Sequence, residues 1–286
     1  MTLIELAERC SERLLRAGVS FGHGTTNAYD EAVWLVLWRL GLPLDALDEH
    51  AERVVAATEL AAVDALLARR IDRRLPAAYL TGEAWLQGVP FFVDERVIIP
   101  RSLIAEPLAD GTLDAWLGEH TQRVLDLCTG NGSLAVLAAL AWPEVVVDAT
   151  DLSAAALQVA RRNVDRHGLQ DRILLRRGNG LEAAVGAYDL ILCNPPYVNQ
   201  LSMDSLPAEF RAEPALALAG GADGMDFVRT LLSEARTHLS PQGVLVLEIG
   251  NEREHFEAAF PRLEATWLET SAGDDQVLLL TREALQ

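Results

Sequence analysis

Val124-Leu125-Asp126-Leu127-Cys128-Thr129-Gly130-Asn131-Gly132-Ser133 is an apolar run that ends in a Gly-x-Gly loop and continues into Leu134-Ala135-Val136-Leu137, a segment suited to a buried helix. A strand that passes through glycines into a helix is the first unit of an α/β sheet, and the loop is where such sheets bind nucleotide-like ligands. Glycine lets backbone approach a ligand, but the same pair also makes an ordinary turn. The segment alone leaves both readings open.

Downstream of it, strands over 145–150, 172–177, 188–193 and 243–249 alternate with helices over 153–166 and 225–239. Together with a strand at 123–128 and a helix at 133–141, this alternation predicts a parallel sheet flanked by helices. Residues 266–271 and 276–281, separated by Ala272-Gly273-Asp274-Asp275, read as a closing antiparallel pair. Upstream, Leu3, Leu6, Ala7, Cys10, Leu14 and Leu15 recur at helical spacing, as one apolar face. A second helix starts at the capping oxygens of Thr25-Thr26-Asn27 and stops at Gly41 and Pro43, and a third runs from 59 to 74. The Arg69-Arg70 and Arg73-Arg74 pairs fall at that helix's C-terminus, where cations suit the dipole. Trp85 to Val93 reads as two short strands around Gly88, between a helical N-terminal part (1–83) and the sheet domain (102–286), with 84–101 as hairpin linker.

The other strand ends carry candidate site residues. Asp151 closes the second strand, where an acidic side chain can accept hydrogen bonds from ribose hydroxyls or cap the next helix. Ser153 can do the capping instead. Gly178-Asn179-Gly180 closes the third strand, so Asn179 either reaches an adenine edge or sits in a bare turn. The fourth strand delivers Asn194-Pro195-Pro196-Tyr197. Such a corner can be a simple turn, or can hold a planar NH2 group between the Asn194 side-chain carbonyl and the Pro195 carbonyl, with Tyr197 as a flat wall. In a sheet of this kind the first and fourth strands are neighbours, which puts the glycine loop and this corner on one cleft.

Composition narrows the partners. The net charge is −18, and all 24 basic residues are arginine. That balance opposes nucleic-acid binding through phosphates and favours a basic polypeptide partner, with solubility as the competing reading. The three cysteines have no metal-like spacing, leave one unpaired and read as packing residues of a cytoplasmic protein. Neither a membrane span nor a signal peptide is legible, and His23, His167, His238 and His255 read as surface or loop residues.

Asp-x-Cys-x-Gly-x-Gly, then Asp151, then Asn-Pro-Pro-Tyr resembles the S-adenosylmethionine-dependent methyltransferases that modify glutamine side-chain nitrogen. Phe21-Gly22-His23-Gly24-Thr25, Asp30-Glu31-Ala32-Val33, Ala78-Tyr79-Leu80-Thr81 and Val93 to Ser102 are similar to the branch acting on the third protein of the large ribosomal subunit. The release-factor branch shares the core, but typically follows Pro-Arg with Pro-Asp-Thr-Glu, where this chain has Arg101-Ser102-Leu103-Ile104. Glu213-Pro214-Ala215-Leu216, Gly220-Gly221-Ala222-Asp223-Gly224 and Leu247-Glu248-Ile249-Gly250 also fit the family.

The resemblance implies a Rossmann-like seven-stranded α/β fold, mostly parallel with an antiparallel C-terminal strand, and a helical substrate-recognition domain ahead of it. It implies S-adenosyl-L-methionine held by Asp126, Cys128, Thr129, Gly130, Asn131, Gly132, Asp151, Asn179 and Asn194, and no metal. Catalysis falls to Asn194, Pro195, Pro196 and Tyr197, and the substrate is a basic ribosomal protein. The alternatives are a release-factor methyltransferase, a DNA adenine methyltransferase or an assembly factor without chemistry. Asn179 stands where the family commonly has an acidic residue, and Gly180 where a larger side chain is common.

Overall fold

A computed structural model describes residues 1–118 and 121–285. The N-terminal part is a helical bundle of α1 (Leu3–Ala17), α2 (Ala28–Leu40), α3 (Leu47–His50), α4 (Ala57–Arg73) and α5 (Ala77–Thr81). Thr2 and Glu5 form a reciprocal cap at the start of α1, and Asn27 accepts from the Asp30 N–H at the start of α2. Gly18 and Gly41 close these helices in the left-handed conformation, where the absence of Cβ removes the steric cost. One face of α1, comprising Leu3, Leu6, Ala7, Cys10 and Leu14, is buried as the spacing predicts, but Leu15 is 63% exposed, because it follows Leu14 by one residue and so turns about 100° away from that face. At the end of α4 the dipole reading is incomplete. Arg70 is fully buried in an ion pair, and Arg74 donates to the Ala17 and Gly18 carbonyls at the end of α1.

A hairpin, β1 (Glu83–Leu86) and β2 (Val89–Phe92), leads through α6 (Ala105–Ala109) into the sheet. There follow β3 (Arg123–Leu127), α7 (Ser133–Ala141), β4 (Val146–Asp151), α8 (Ala154–Arg166), β5 (Ile173–Arg177) and β6 (Tyr188–Cys193). After α9 (Gln200–Ser205) come α10 (Asp226–His238), β7 (Leu239–Glu248), α11 (Arg253–Ala259), β8 (Thr266–Thr270) and β9 (Gly273–Thr281). The strand order is β5-β4-β3-β6-β7-β9-β8, parallel from β5 to β7, with β9 antiparallel to both its neighbours.

Strand alternation sorts the core onto two faces. Val124, Val147, Leu190, Leu192 and Val246 join one apolar cluster, while Leu125, Leu127, Ile191, Leu245 and Leu247 join the other. A parallel sheet covered by helices on both sides produces near-continuous apolar runs, as in Leu190 to Cys193 of β6 and Val244 to Leu247 of β7, which makes those strands readable. Strand β7 begins at Leu239 and not at 243. Leu239 pairs with Tyr188 across a register shift, and Pro241 and Gly243 in that stretch hide the strand pattern. The bundle is not separately packed, because its core includes Ala156 and Val159 of α8. Asn163 of α8 adds a polar tie: its side chain bonds both the N–H and the carbonyl of Phe92, and the carbonyl of Asn131. Hairpin and glycine loop are therefore fixed to one helix.

Candidate active site

Because β3 and β6 pair in parallel with Leu127 opposite Cys193, the loops that follow them leave the same sheet edge. They meet at a cavity of about 190 Å³. Of the residues expected in the site, Cys128, Gly130, Asp151, Asn179, Asn194 and Pro196 line it. Asp126, Thr129, Asn131, Gly132, Pro195 and Tyr197 are not among its lining. The cysteine reading divides accordingly: Cys10 and Cys193 are buried packing residues, whereas Cys128 faces the cavity in a left-handed conformation with φ of 61°.

The residues behind the cavity hold its shape. Asp126 is buried, accepting from the Thr129 hydroxyl and the Ala135 N–H, and burial pushes its carboxyl up to about 7. This anchors the loop after β3 to the first turn of α7. Ser153 caps α8 as expected, yet Asp151 is not left free: it accepts from the Ser153 N–H at 2.7 Å and the Gly130 N–H at 2.9 Å. A carboxylate oxygen has more than one acceptor position, so both retain capacity toward the cavity.

The side chain of Asn194 is half-buried, and among the described residues nothing hydrogen-bonds it. Tyr197 is fixed by contrast. Its hydroxyl donates to Glu248 Oε1 at 2.9 Å, while Glu248 Oε2 accepts from the Ser102 hydroxyl and the Leu103 N–H. Burial pushes Glu248 and Tyr197 up. The backbone and ring of Tyr197 occupy space that side chains elsewhere must leave open. A Cβ on Gly224 would lie 2.3 Å from the Tyr197 carbonyl oxygen, and one on Gly250 would lie 2.5 Å from its ring. Two glycines that read only as family markers are thereby explained by close approach.

Three stretches line the cavity that residue-level reading did not assign to it. Arg96, Val97 and Ile98 come from the linker, Pro214, Leu216 and Ala217 from the segment after α9, and Phe227 from the first turn of α10. Phe227 lies beside the Gly180 position: both line the cavity, a Cβ on Gly180 would stand 3.9 Å from the Phe227 ring, and Gly180 itself adopts a φ of 55° that suits glycine. A signal was present, since Met225-Asp226-Phe227 opens a helix directly after a glycine-rich turn.

His23 corrects the surface reading. It is 1% exposed, its ring lies 4.2 Å from that of Phe210, and Nε2 is 3.5 Å from Glu213 Oε2. Arg101 holds the same carboxylate with two bonds of 2.6 and 2.8 Å, and the Ile99 N–H adds a third at 2.9 Å. Burial alone would raise the Glu213 carboxyl, but His23 and Arg101 outweigh it and hold it at about 2, below its ordinary 4.5. The folded value is depressed, so this stabilisation is complete above pH 4.5 and is lost as pH falls from there toward 2. Melting temperature measured against pH is expected to fall less steeply below pH 4.5 in Glu213→Gln than in the parent chain.

A methyltransferase small domain model matches residues 111–221. The ribosomal protein uL3 glutamine methyltransferase of Bordetella pertussis is 58% identical over 287 residues, spanning 99% of this chain and 96% of that protein. The chain belongs to this family of methyltransferases. Its namesake in Burkholderia pseudomallei is 53% identical over 98% of this chain and 94% of its own length. Among solved structures, the catalytic domain of hMettl16 in complex with a MAT2A 3'UTR hairpin aligns with a TM-score of 0.52 at 16% identity, over 79% of this chain and 81% of that one. That likeness concerns the fold, and it agrees with the family's mostly parallel seven-stranded sheet.

Proposed function

We propose that this methyltransferase transfers a methyl group from S-adenosylmethionine to the side-chain amide nitrogen of a glutamine in the basic ribosomal protein uL3. The observation that carries the reading is the shared cavity: Asn194, with its amide unengaged, lines the same space as Gly130 and Asp151. Full-length relatives named for this substrate support the choice of protein.

The donor set suits the methyl donor. Asp151 would accept from ribose hydroxyls, Asn179 and the Phe227 ring would meet the adenine, and the Gly130 loop brings backbone to the amino-acid end. The donor supplies a sulfonium-activated methyl group. The chain's own work is positioning. The Asn194 side-chain carbonyl and the Pro195 carbonyl would accept the two N–H groups of the glutamine amide, turning its nitrogen toward the methyl group and favouring positive charge as it develops there. The nitrogen–carbon bond would form as the sulfur–carbon bond breaks, S-adenosylhomocysteine leaves, and the methylated nitrogen sheds one proton to water. Orientation of this kind is worth up to about 7 to 11 kcal/mol. Both acceptors are neutral. Among the described residues no histidine lines the cavity, and the reading assigns none a role as base.

With a net charge of −18, the chain should attract uL3 at long range. The association rate is expected to fall about tenfold or more as salt is raised from low to several hundred millimolar, measured by stopped flow. A rate indifferent to salt would count against charge steering. Labelled S-adenosylmethionine offered in parallel to uL3, a release factor and DNA tests the substrate: label is expected on uL3, and label confined to the release factor or DNA would overturn the reading.

A further inference from the structure

Phe21-Gly22-His23-Gly24-Thr25 and Asp30-Glu31 are residues by which the branch is recognised, yet none of them lines the cavity. Of these, Gly22, His23 and Glu31 lie at the seam between the helical bundle and the segment that follows the Asn194 corner. His23 packs on Phe210 and approaches Glu213, and a Cβ on Gly22 would already touch the Phe210 ring at 3.3 Å. Glu31 of α2 accepts from Arg70 Nε at 2.8 Å, and Arg70 Nη1 donates to Glu209 Oε1 at 3.1 Å.

Two lines of buried polar groups therefore run from the bundle to residues 209–213. Immediately beyond, Pro214, Leu216 and Ala217 form part of the cavity wall that Asn194 and Pro196 share, and Leu216 is 59% exposed at that wall. Burying an arginine, three glutamates and a histidine is a costly way to fill space, because each must be desolvated. Both ring nitrogens of His23 are buried without a hydrogen bond of normal geometry, a cost that apolar packing would avoid. The arrangement instead fixes one segment against one bundle in a single geometry.

We infer that His23 and the Glu31–Arg70–Glu209 chain are positioning residues that set the 209–218 segment as the wall against which the incoming glutamine-bearing chain is held. The bundle thus governs substrate choice partly at a distance, through the wall it fixes. This rests on the methyl-transfer reading above. Gly130, Asp151 and Asn179, which face the donor, belong to other elements, so loss of the network falls on protein-substrate binding and spares the donor.

His23→Ala and Glu209→Gln test this, since neither removes a residue from the bundle's own apolar core. In variants that melt cooperatively, KM for uL3 is expected to rise about tenfold while kcat and the S-adenosylmethionine Kd change less than about threefold. Amide exchange over 209–218, measured without any substrate, is expected to quicken while the strands of the sheet keep their protection. An unchanged KM, a donor Kd rising in step with KM, or unchanged exchange over 209–218 would overturn the proposal. If the parent chain does not methylate uL3 at all, the functional reading fails, and the exchange measurement alone decides whether the network positions this wall.

Discussion

Asn194→Ala is expected to lower kcat for methyl transfer by about three orders of magnitude, with S-adenosylmethionine affinity within a few-fold of the parent chain. The size follows from what is removed. One of two neutral acceptors that orient the amide disappears, and deletion of a single preorganised group aimed at developing charge typically costs about 10²–10³ in rate. Donor affinity is spared because Asp151, Asn179 and the Gly130 loop are untouched, and because nothing in the described chain depends on the Asn194 side chain for a hydrogen bond. Single-turnover transfer and equilibrium binding of the donor separate the two effects. A variant that keeps its rate removes Asn194 from the mechanism. One that loses donor affinity in proportion to rate reassigns it to the donor site.

Arg70→Met is expected to lower the free energy of unfolding by about 3–5 kcal/mol, the cost of breaking a buried ion pair by removing one partner. Arg70 is fully buried between Glu31 and Glu209, each 1% exposed, and it also donates to the Ser20 carbonyl. Burial already pushes the Glu31 carboxyl up despite the guanidinium, whereas for Glu209 burial is outweighed by hydrogen bonds that include Arg70, and its carboxyl is pulled down. Methionine matches much of the arginine's volume and none of its charge, so Glu31 would be left without its ion-pair partner and Glu209 with only Arg74, whose Nη1 lies 3.5 Å away. The triple variant Glu31→Gln, Arg70→Met, Glu209→Gln is expected to recover most of the loss, as neutral replacements of buried ionic groups often do. Denaturant unfolding of both variants checks this. Equal destabilisation in both would assign the effect to packing instead of charge.

The legible parts of this chain share a physical cause. Strands buried on both faces carry near-continuous apolar runs, and helices with one buried face carry the spacing of that face, so β3, α7, β6 and the α1 stripe could all be read locally. Cys128, Gly130, Asp151, Asn179 and Asn194 were legible for a related reason: each sits where a strand ends, and parallel strands bring such ends to one edge. What escaped reading is long-range. His23 and Glu213 are 190 positions apart in sequence (213 − 23), and Arg70 meets Glu209 across 139. In neither case does a local pattern announce that a polar side chain will be buried against its partner. Phe227 and Leu216 are similar, because their contribution to the cavity depends on how α10 and the segment after α9 fold back over the sheet edge. The glycines at 224 and 250 carried a visible pattern, but its cause, the approach of Tyr197, appears only in three dimensions.

Methylation of one glutamine side-chain nitrogen is tested most directly by fragment mass spectrometry of uL3 after incubation with the chain and S-adenosylmethionine, which locates the methyl group. The expected result is a single added methyl on a glutamine side chain, absent when Asn194→Ala replaces the parent chain. Methyl groups found on arginine, lysine or a terminal amine of uL3, with glutamine unmodified, would contradict the account.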